Sequence, residues 1–380
     1  MIRRYNKTII TLLMTLFLTG CWDYRDINKR NIGLSIGVDD VEDQLEFTGE
    51  IAKLTSSNPQ GRGMLQIVDV YQYRSLGKYF EGSNADYNVK IPFPDFAGAA
   101  RVIAFSKKYA EKKGIESYIN RAYFTIWLRN SVPVVICKEP AKELFTGKIE
   151  NDIFIGYGIE DTIRYLDETG ATLHKTVQDI QTDIQFGDIG FLLPYITKED
   201  NKNIKYLGFA AMKDSKLIDI IDYKESTGFL YLVAKKTTVE RVIPHPQNGK
   251  NLVSVKSVLG KRTIRTKYED NKINIYIDLK LNAQIQYEYS IEPLSKAEVK
   301  KIEDIVSNMT KEEVMRAIKR SQNEMQCDVF GFAKYFRAEH PIEYKKMNWK
   351  EEYPKANFHV NVKTTIKNTS ILDPNGKKPD

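Results

Sequence analysis

A long run of alternating apolar and polar residues constrains this chain more than any other feature. Residues 272–289 read KINIYIDLKLNAQIQYEY, and an apolar side chain occupies every second position from Ile273 to Tyr289. Polar residues fill the positions between them, apart from Tyr276. Because successive side chains of a strand point to opposite faces, this period predicts a strand with one buried face. A straight strand of this length would exceed roughly 50 Å, so we expect a bend or bulge within it.

Helix signals follow this strand. Ser295 with Glu298 fits a capping box, and Thr310 with Glu313 fits a second one. Apolar side chains spaced three or four residues apart follow each of these patterns and predict amphipathic helices. The sequence therefore predicts two helix starts after the long strand.

The order of elements predicts the fold of the second half. A hairpin over residues 206–221 comes before the long strand, and an alternating strand over residues 357–366 closes the region. Strands, then helices, then a last strand indicate an α+β domain over residues 204–370, with an antiparallel sheet packed against helices. The polar residues 371–380 are expected to form a frayed tail.

The first half mixes strand and helix signals. Residues 32–51 predict a hairpin whose acidic segment, 39–43, forms the turn. Strand and helix patterns then alternate over residues 100–145, which predicts a mixed α/β region over residues 21–196, with room for two subdomains. The polar segment 196–206 is the predicted domain boundary. The fold class predicted for the whole chain is multidomain α+β.

The N-terminus has the three parts of a secretory signal. Arg3, Arg4 and Lys7 precede an apolar run that ends at Leu18, and the small Gly20 follows. A bilayer-spanning helix needs about 20 apolar residues, and this run is well short of that length. We therefore expect residues 1–20 to be a signal peptide.

The end of this segment resembles a bacterial lipobox. The residues are Leu18-Thr19-Gly20-Cys21, and in a lipobox a diacylglyceryl group is joined to the cysteine sulfur before cleavage leaves that cysteine first. Two acyl chains suffice for stable anchoring, so Cys21 is expected to hold a soluble body on the outer face of a membrane. A plain secretory signal with a chance cysteine is the alternative.

Composition excludes several classes of protein. Hydrophobic content of 42% and charged content of 28% describe a globular chain. Without the three basic residues of the signal, 54 Lys+Arg face 50 Asp+Glu, a net charge of +4; we find no compact basic block typical of nucleic-acid binding. The two remaining cysteines, Cys137 and Cys327, lie far apart in sequence, and a buried thiol at Cys137 is favoured over a disulfide.

Motifs for catalysis and metal binding are weak. Residues 33–37 fit the G-x-S-x-G pattern of a nucleophile elbow at Ser35, but an acidic turn and a strand follow instead of the required helix. Residues 38–46 lack the spacing and central glycine of an EF-hand loop. The four histidines are too scattered for a zinc site. We therefore predict no catalytic residues, no metal and no cofactor.

Both halves of the chain resemble the Ger(x)C family, the C-subunit lipoproteins of spore nutrient-germinant receptors. The N-terminal residues that match the family pattern are Cys21-Trp22-Asp23, Arg25, Asp26, Ile27, Asn28, Gly37 and Asp39. Those in the second half are Gly208, Lys213, Leu217, Glu225-Ser226, Gly228, Cys327, Asp328, Phe330, Gly331, Phe332, Pro341, Trp349, Tyr353 and Pro354. The resemblance is weaker over residues 54–130.

This resemblance implies a non-enzymatic protein on the outer face of the spore inner membrane. It implies work with two integral-membrane partners, the A-type and B-type germinant receptor subunits, in nutrient-triggered germination. The one chemical role that the resemblance carries onto this chain is lipid attachment at Cys21. Two alternatives remain: a solute-binding lipoprotein of a transporter, with two similar lobes and a deep cleft, and a surface hydrolase using Ser35.

Overall fold

The computed structural model describes residues 30–369, except 57–64, 92, 151, 201, 248, 250 and 289–293. The predicted signal peptide, Cys21, Tyr289 at the end of the alternating run and the predicted frayed tail lie outside the described residues. Helices and two sheets pack together in the described part, which confirms the multidomain α+β fold class.

Residues 31–222 contain the strands of a large sheet and the helices that cover it. The strands are β1 (Asn31–Val41), β2 (Gln44–Ser56), β3 (Leu65–Gly77), β4 (Asp95–Phe96), β5 (Val102–Ser106), β6 (Val134–Cys137), β7 (Phe191–Glu199), β8 (Asn203–Lys213) and β9 (Lys216–Asp222). The helices are α1 (Phe80–Lys90), α2 (Lys107–Lys112), α3 (Glu116–Phe124), α4 (Ala141–Leu144), α5 (Ile155–Thr169) and α6 (Val177–Phe186). The hairpin predicted over residues 206–221 is present, but it joins this sheet and not the second one.

These nine strands form one mixed sheet. Its order is β3-β2-β1-β5-β6-β7-β8-β9, and the short β4 pairs with the start of β1. The central strands β1, β5, β6 and β7 are parallel, and antiparallel strands flank them on both sides. Parallel strands need long crossover connections, usually helices, and the helices of the first half supply them.

The central strands are buried on both faces. In β5, Ile103 and Phe105 pack into one apolar cluster, while Val102 and Ala104 pack into another. Strands covered on both sides read as continuous apolar runs instead of alternating ones. This explains why the segment ending at Cys137 is uniformly apolar and fully buried.

The predicted N-terminal hairpin is present, but its turn is shorter than expected. Strand β1 continues to Val41, and the turn is formed by Glu42 and Asp43, which both have positive φ angles. Asp39 and Asp40 therefore lie in the strand and are buried. The expectation of a solvated turn at these two carboxylates was wrong because other groups of the protein bind them.

A second sheet and its helices form the rest of the described chain. The strands are β10 (Thr238–Pro244), β11 (Leu252–Glu269), β12 (Lys272–Glu288) and β13 (Asn357–Thr369), paired in that order. The helices are α7 (Thr227–Val233), α8 (Lys296–Arg320), α9 (Phe332–Glu339), α10 (Pro341–Lys346) and α11 (Trp349–Glu352).

The second sheet is antiparallel except at its last pair. Strand β13 runs parallel to β12, with Ile277 opposite Val360, so the expectation of a fully antiparallel sheet was wrong in this detail. The chain returns to the start of β12 through α8 to α11, and such a helical crossover makes the next strand parallel. The register between β11 and β12 shifts between Leu259 and Lys261, and the register between β12 and β13 shifts between Ala283 and Gln284. Such irregularities bend a strand, and the length of β12 led us to expect a bend or bulge.

Helix α8 covers the apolar face of this sheet as one continuous element. Ser295 and Glu298 form the predicted capping box at its N-terminus. The second capping box, predicted at Thr310 and Glu313, was wrong, because both residues lie inside the helix. The Thr310 hydroxyl instead accepts a hydrogen bond from the buried Arg241, and Glu313 forms an ion pair with the same guanidinium.

The polar segment 196–206, predicted to be a domain boundary, is the end of β7, a hairpin turn and the start of β8. The large sheet continues through it. Leu192, Phe209 and Ile221 of this sheet also belong to the apolar cluster under α8, so the two sheets share a core. No helix in the described part of the chain is both long and apolar enough to cross a bilayer.

Candidate functional site

Ser35, the candidate nucleophile, lies in the middle of β1. The strand continues for six residues beyond it, so no helix follows to create an elbow. Its hydroxyl donates to the Glu50 carboxylate at 3.0 Å and accepts from the Glu50 backbone N–H at 3.0 Å. Ser35 is fully buried. The Ser35 hydroxyl therefore links β1 to β2 by hydrogen bonds.

Glu50 connects this strand pair to a helix. Its carboxylate accepts hydrogen bonds from the backbone N–H groups of Ile155 and Gly156, both at 2.9 Å, in the first turn of α5. Helix N-termini have unpaired N–H groups and favour negative charge. A Cβ atom on Gly156 would come within 3.0 Å of the Ser35 Cβ, so glycine permits this close approach. Burial nevertheless raises the pKa of Glu50 above its ordinary value, because desolvation outweighs the hydrogen bonds.

Two further buried carboxylates hold the other end of β1. Asp39 accepts from the Ser106 hydroxyl at 2.6 Å and from the Ala141 N–H of α4 at 3.1 Å. Asp40 lies 3.4 Å from the ammonium groups of both Lys112 and Lys113. The carboxylates of Glu50, Asp39 and Asp40 therefore bind helix N-termini and lysines.

A pocket of about 230 Å³ opens between β2, β3, α1 and α3. Aromatic side chains form much of its wall and contact one another: the Phe47 and Tyr118 ring centroids are 5.5 Å apart, and those of Tyr73 and Tyr87 are 5.2 Å apart. Clefts with apolar walls and a few polar groups are the usual sites for small molecules. Among the pockets in the described part of the chain, we therefore take this one as the candidate ligand site.

Charged groups of both signs lie at this pocket. The Tyr87 hydroxyl donates to the Asp95 carboxylate at 3.3 Å. Partial desolvation raises the pKa of Asp95 to about 6, although the residue as a whole remains exposed. Arg121, which also lines the pocket, lies above the Phe80 ring and pairs with Glu81 at 2.9 Å. The arrangement can hold a small polar molecule.

Asp328 is 2% exposed, the lowest value for a carboxylate in the described part of the second half, and it matches the family pattern noted above. It accepts hydrogen bonds from the N–H groups of Phe332 and Ala333 at 3.1 and 2.8 Å, and from the Trp349 indole at 3.1 Å. Burial raises the pKa of Asp328 to about 6 despite these three donors. Asp328 thus fixes the start of α9 against α11.

The cysteines and histidines do not assemble a reactive centre. Cys137 and Cys327 are both buried free thiols, as predicted for Cys137; burial raises the pKa of both thiols, which disfavours the reactive thiolate. No group of three metal-ligating side chains is close enough to hold an ion in the part of the chain that the structure describes. Cys21 lies outside it, so lipid attachment there stays a prediction.

Sequence reasoning missed the pocket residues and the role of Asp328. The pocket brings together strands and helices that are distant in sequence, and no motif spacing marks it. One signal was available at its edge: the sequence FTIW, residues 124–127, places three apolar side chains at the end of α3 with no helical or strand period. All three side chains are exposed.

Comparison with known proteins covers nearly the whole chain. Residues 23–198 match the domain described as "Spore germination protein N-terminal domain", and residues 207–370 match "Spore germination B3/ GerAC like, C-terminal". Spore germination protein B3 of Bacillus subtilis (strain 168) is 20% identical over 372 residues, covering 96% of this chain and 97% of the relative. Spore germination protein A3 of the same organism is 22% identical over 378 residues, covering 94% and 96%.

A solved structure shares the fold. The crystal structure of the GerBC protein matches with a TM-score of 0.54 and 17% identity, and the match covers 88% of this chain and 97% of that one. At this identity the likeness establishes the fold alone. The two domain matches extend from one end of the described chain to the other and confirm the resemblance found in the sequence: this chain belongs to the GerC family of spore germination proteins.

Proposed function

We propose that this protein is the lipid-anchored C subunit of a spore germinant receptor. It acts without catalysis, together with integral-membrane A-type and B-type subunits, in nutrient-triggered germination. The observation that carries the proposal is the match of both halves to spore germination domains, combined with the lipobox that ends at Cys21. A diacylglyceryl group on Cys21 holds the body on the outer face of the spore inner membrane.

The tether has a physical consequence for assembly. A protein held at the same surface as its partners meets them at a high effective concentration, so weak contacts suffice for association. The membrane anchor then contributes more to assembly than any one contact surface does. Loss of the anchor should therefore have a larger effect than a substitution on the protein's surface.

The geometry around Ser35 and the buried carboxylates supports a non-enzymatic role. Ser35 and Glu50 bind each other and the first turn of α5. The two alternatives predict other architectures. A surface hydrolase needs Ser35 on a strand-to-helix turn, and a solute-binding lipoprotein needs two similar lobes. Here a nine-stranded sheet in the described chain adjoins a four-stranded one.

Replacement of the lipidated cysteine tests the proposal. In spores carrying Cys21→Ala, we expect the protein to leave the membrane fraction and the germinant response to be lost. Tyr24→Phe, which leaves Cys21 intact, should retain both membrane attachment and response. Crosslinking in wild-type spores should capture the A-type and B-type subunits. A normal response from Cys21→Ala spores would contradict the proposal.

A further inference from the structure

Five exposed apolar side chains adjoin, in sequence, residues that line the candidate pocket. Ile126 is 89% exposed, Val89 82% and Phe124 72%, and Trp127 and Phe93 each expose more than two fifths of their surface. We call these five residues the apolar rim. Single exposed apolar residues are ordinary, but a group of large ones marks a contact surface.

The members of the apolar rim belong to two segments whose neighbouring residues line the same pocket. Asn88 and Asp95, which flank Val89 and Phe93 in sequence, line it. Thr125 and Leu128 line it as well, and they adjoin Phe124, Ile126 and Trp127 in sequence. Two segments that are distant in the chain therefore expose apolar residues next to residues that line the same pocket.

The chain enters the described fold at this rim. The Arg30 guanidinium lies 5.9 Å from the centre of the Trp127 ring. The next residue, Asn31, donates its backbone N–H to the Pro94 carbonyl at 3.0 Å and its side-chain amide to the Phe93 carbonyl. Arg30 and Asn31 thus contact both segments of the apolar rim.

Covalent geometry limits how far this rim can be from the lipid. Arg30 is nine positions after Cys21, and a chain spans at most about 3.3–3.6 Å per residue, or roughly 30 Å in total. This inference rests on the proposed function, because it requires the diacylglyceryl group at Cys21. Given that group, Arg30 and the rim beside it stay within roughly 30 Å of the bilayer surface.

The residue types of the rim suit that surface. Tryptophan is enriched where a protein meets the boundary between headgroups and acyl chains. Phenylalanine and other large apolar side chains penetrate this boundary in peripheral proteins, and an adjacent arginine can pair with anionic headgroups. We propose that the apolar rim inserts into the outer leaflet of the bilayer that carries the Cys21 lipid. It thereby adds a second attachment point to the lipid at Cys21 and fixes the orientation of the protein on the bilayer.

Quenching of tryptophan fluorescence by brominated lipid tests this proposal on the full-length acylated protein. The chain has three tryptophans, and Trp349 is 1% exposed in the core. Trp22 adjoins the anchor, so the reference protein carries Trp22→Phe. In vesicles of brominated phosphatidylcholine with anionic phosphatidylglycerol, we expect quenching in the reference protein and its loss in Trp22→Phe/Trp127→Phe. Ile126→Ser should reduce the quenching, whereas the matched Ile342→Ser, 63% exposed on α10, should not.

The outcomes separate this inference from the proposed function. Quenching that depends on Trp127 and Ile126 supports insertion of the rim. Protein that is attached to vesicles through acylated Cys21, yet shows no quenching of Trp127, would overturn the inference and leave the proposed function standing. A rim that binds a membrane protein instead of lipid would give this same absence of quenching. Protein whose Cys21 is unmodified by mass and that does not bind vesicles would overturn both.

Discussion

The two sheets of this protein are stabilised by different interiors. The strand pair β1–β2 of the large sheet buries four carboxylates, at Asp39, Asp40, Glu46 and Glu50. In contrast, the alternate residues of β12 that face α8 are all hydrocarbon, from Ile273 to Ile285. Buried polar groups need partners in fixed directions, whereas hydrocarbon packs without direction. At β1–β2 the large sheet therefore positions its helices by hydrogen bonds and ion pairs, whereas β12 packs against α8 through hydrocarbon. Hydrogen bonds join α8 to the neighbouring strands β10 and β13.

The largest effect is expected in the hydrocarbon core. Ile277→Ala, at a side chain with no exposed surface, should lower the free energy of unfolding by about 3 kcal/mol, through lost burial and a cavity. Lys280→Ala, on the solvent-exposed face of the same strand, should change the free energy of unfolding by less than about 0.5 kcal/mol. Urea unfolding monitored by circular dichroism measures both. Equal effects from the two variants would show that β12 is not packed on one face.

Asp328 is a buried carboxyl of the small-sheet region, and its contribution to stability depends on pH. Burial raises its pKa to about 6, above the ordinary value of about 3.9, so the folded state binds the extra proton between these values. The stability contributed by this carboxyl is then largest below about pH 4 and declines as the pH rises through 6. The decline is at most about 3 kcal/mol for a shift of this size.

The variant Asp328→Asn removes this titration and should reduce the pH dependence of unfolding between pH 4 and 7. Asp304→Asn, at an exposed carboxylate of α8, is the matched control and should keep the wild-type slope. An unchanged slope in Asp328→Asn would assign the pH dependence to other carboxyls with a raised pKa, such as Asp95 and Glu50.

Glu50 tests the polar interior of the large sheet. Glu50→Gln keeps the shape of the side chain but replaces one carboxylate oxygen by an NH₂ group, which faces the hydrogen-bond donors of Ser35 or α5 and cannot accept from them. We therefore expect a loss of about 2 kcal/mol in the free energy of unfolding. Glu111→Gln, at a half-exposed position on α2, should be close to neutral. Thermal unfolding compares the two. A neutral Glu50→Gln would mean that the strand pair does not depend on its carboxylate.

Ser35 gives the smallest expected effect. Ser35→Ala removes one hydrogen bond to the Glu50 carboxylate and one from its backbone N–H, which should lower the free energy of unfolding by about 1 kcal/mol. Because the hydroxyl has a structural role, spores with this variant should respond normally to germinant. A lost response from a folded, membrane-bound Ser35→Ala protein would revive the hydrolase alternative.

The same contrast decides what could be predicted from the sequence. The period of β12 and the capping box at Ser295 were predicted because one-sided burial produces alternation and local hydrogen bonds have fixed spacing. The sequence pattern predicts a turn at Asp39 and Asp40, because nothing local shows that Ala141 and Lys112, both distant in sequence, bind them. The parallel pairing of β13 was missed for the same reason, since strand direction depends on the path of the crossover.

The candidate site was harder to predict than the fold. The resemblance pointed to Cys21 and identified the family, but the pocket and the apolar rim combine segments near residues 90 and 125 that lie in the part where the resemblance is weakest. Their assembly depends on how α1 and α3 pack on the large sheet. A sequence pattern contains no direct record of such packing.

The mass of the native N-terminal peptide, taken from purified spore membranes, tests the central claim most directly. We predict that the mature chain starts at Cys21 and carries a thioether-linked diacylglyceryl group, in a fraction that also contains the A-type and B-type subunits. A mature N-terminus without acylation, or one that starts elsewhere, would contradict the account.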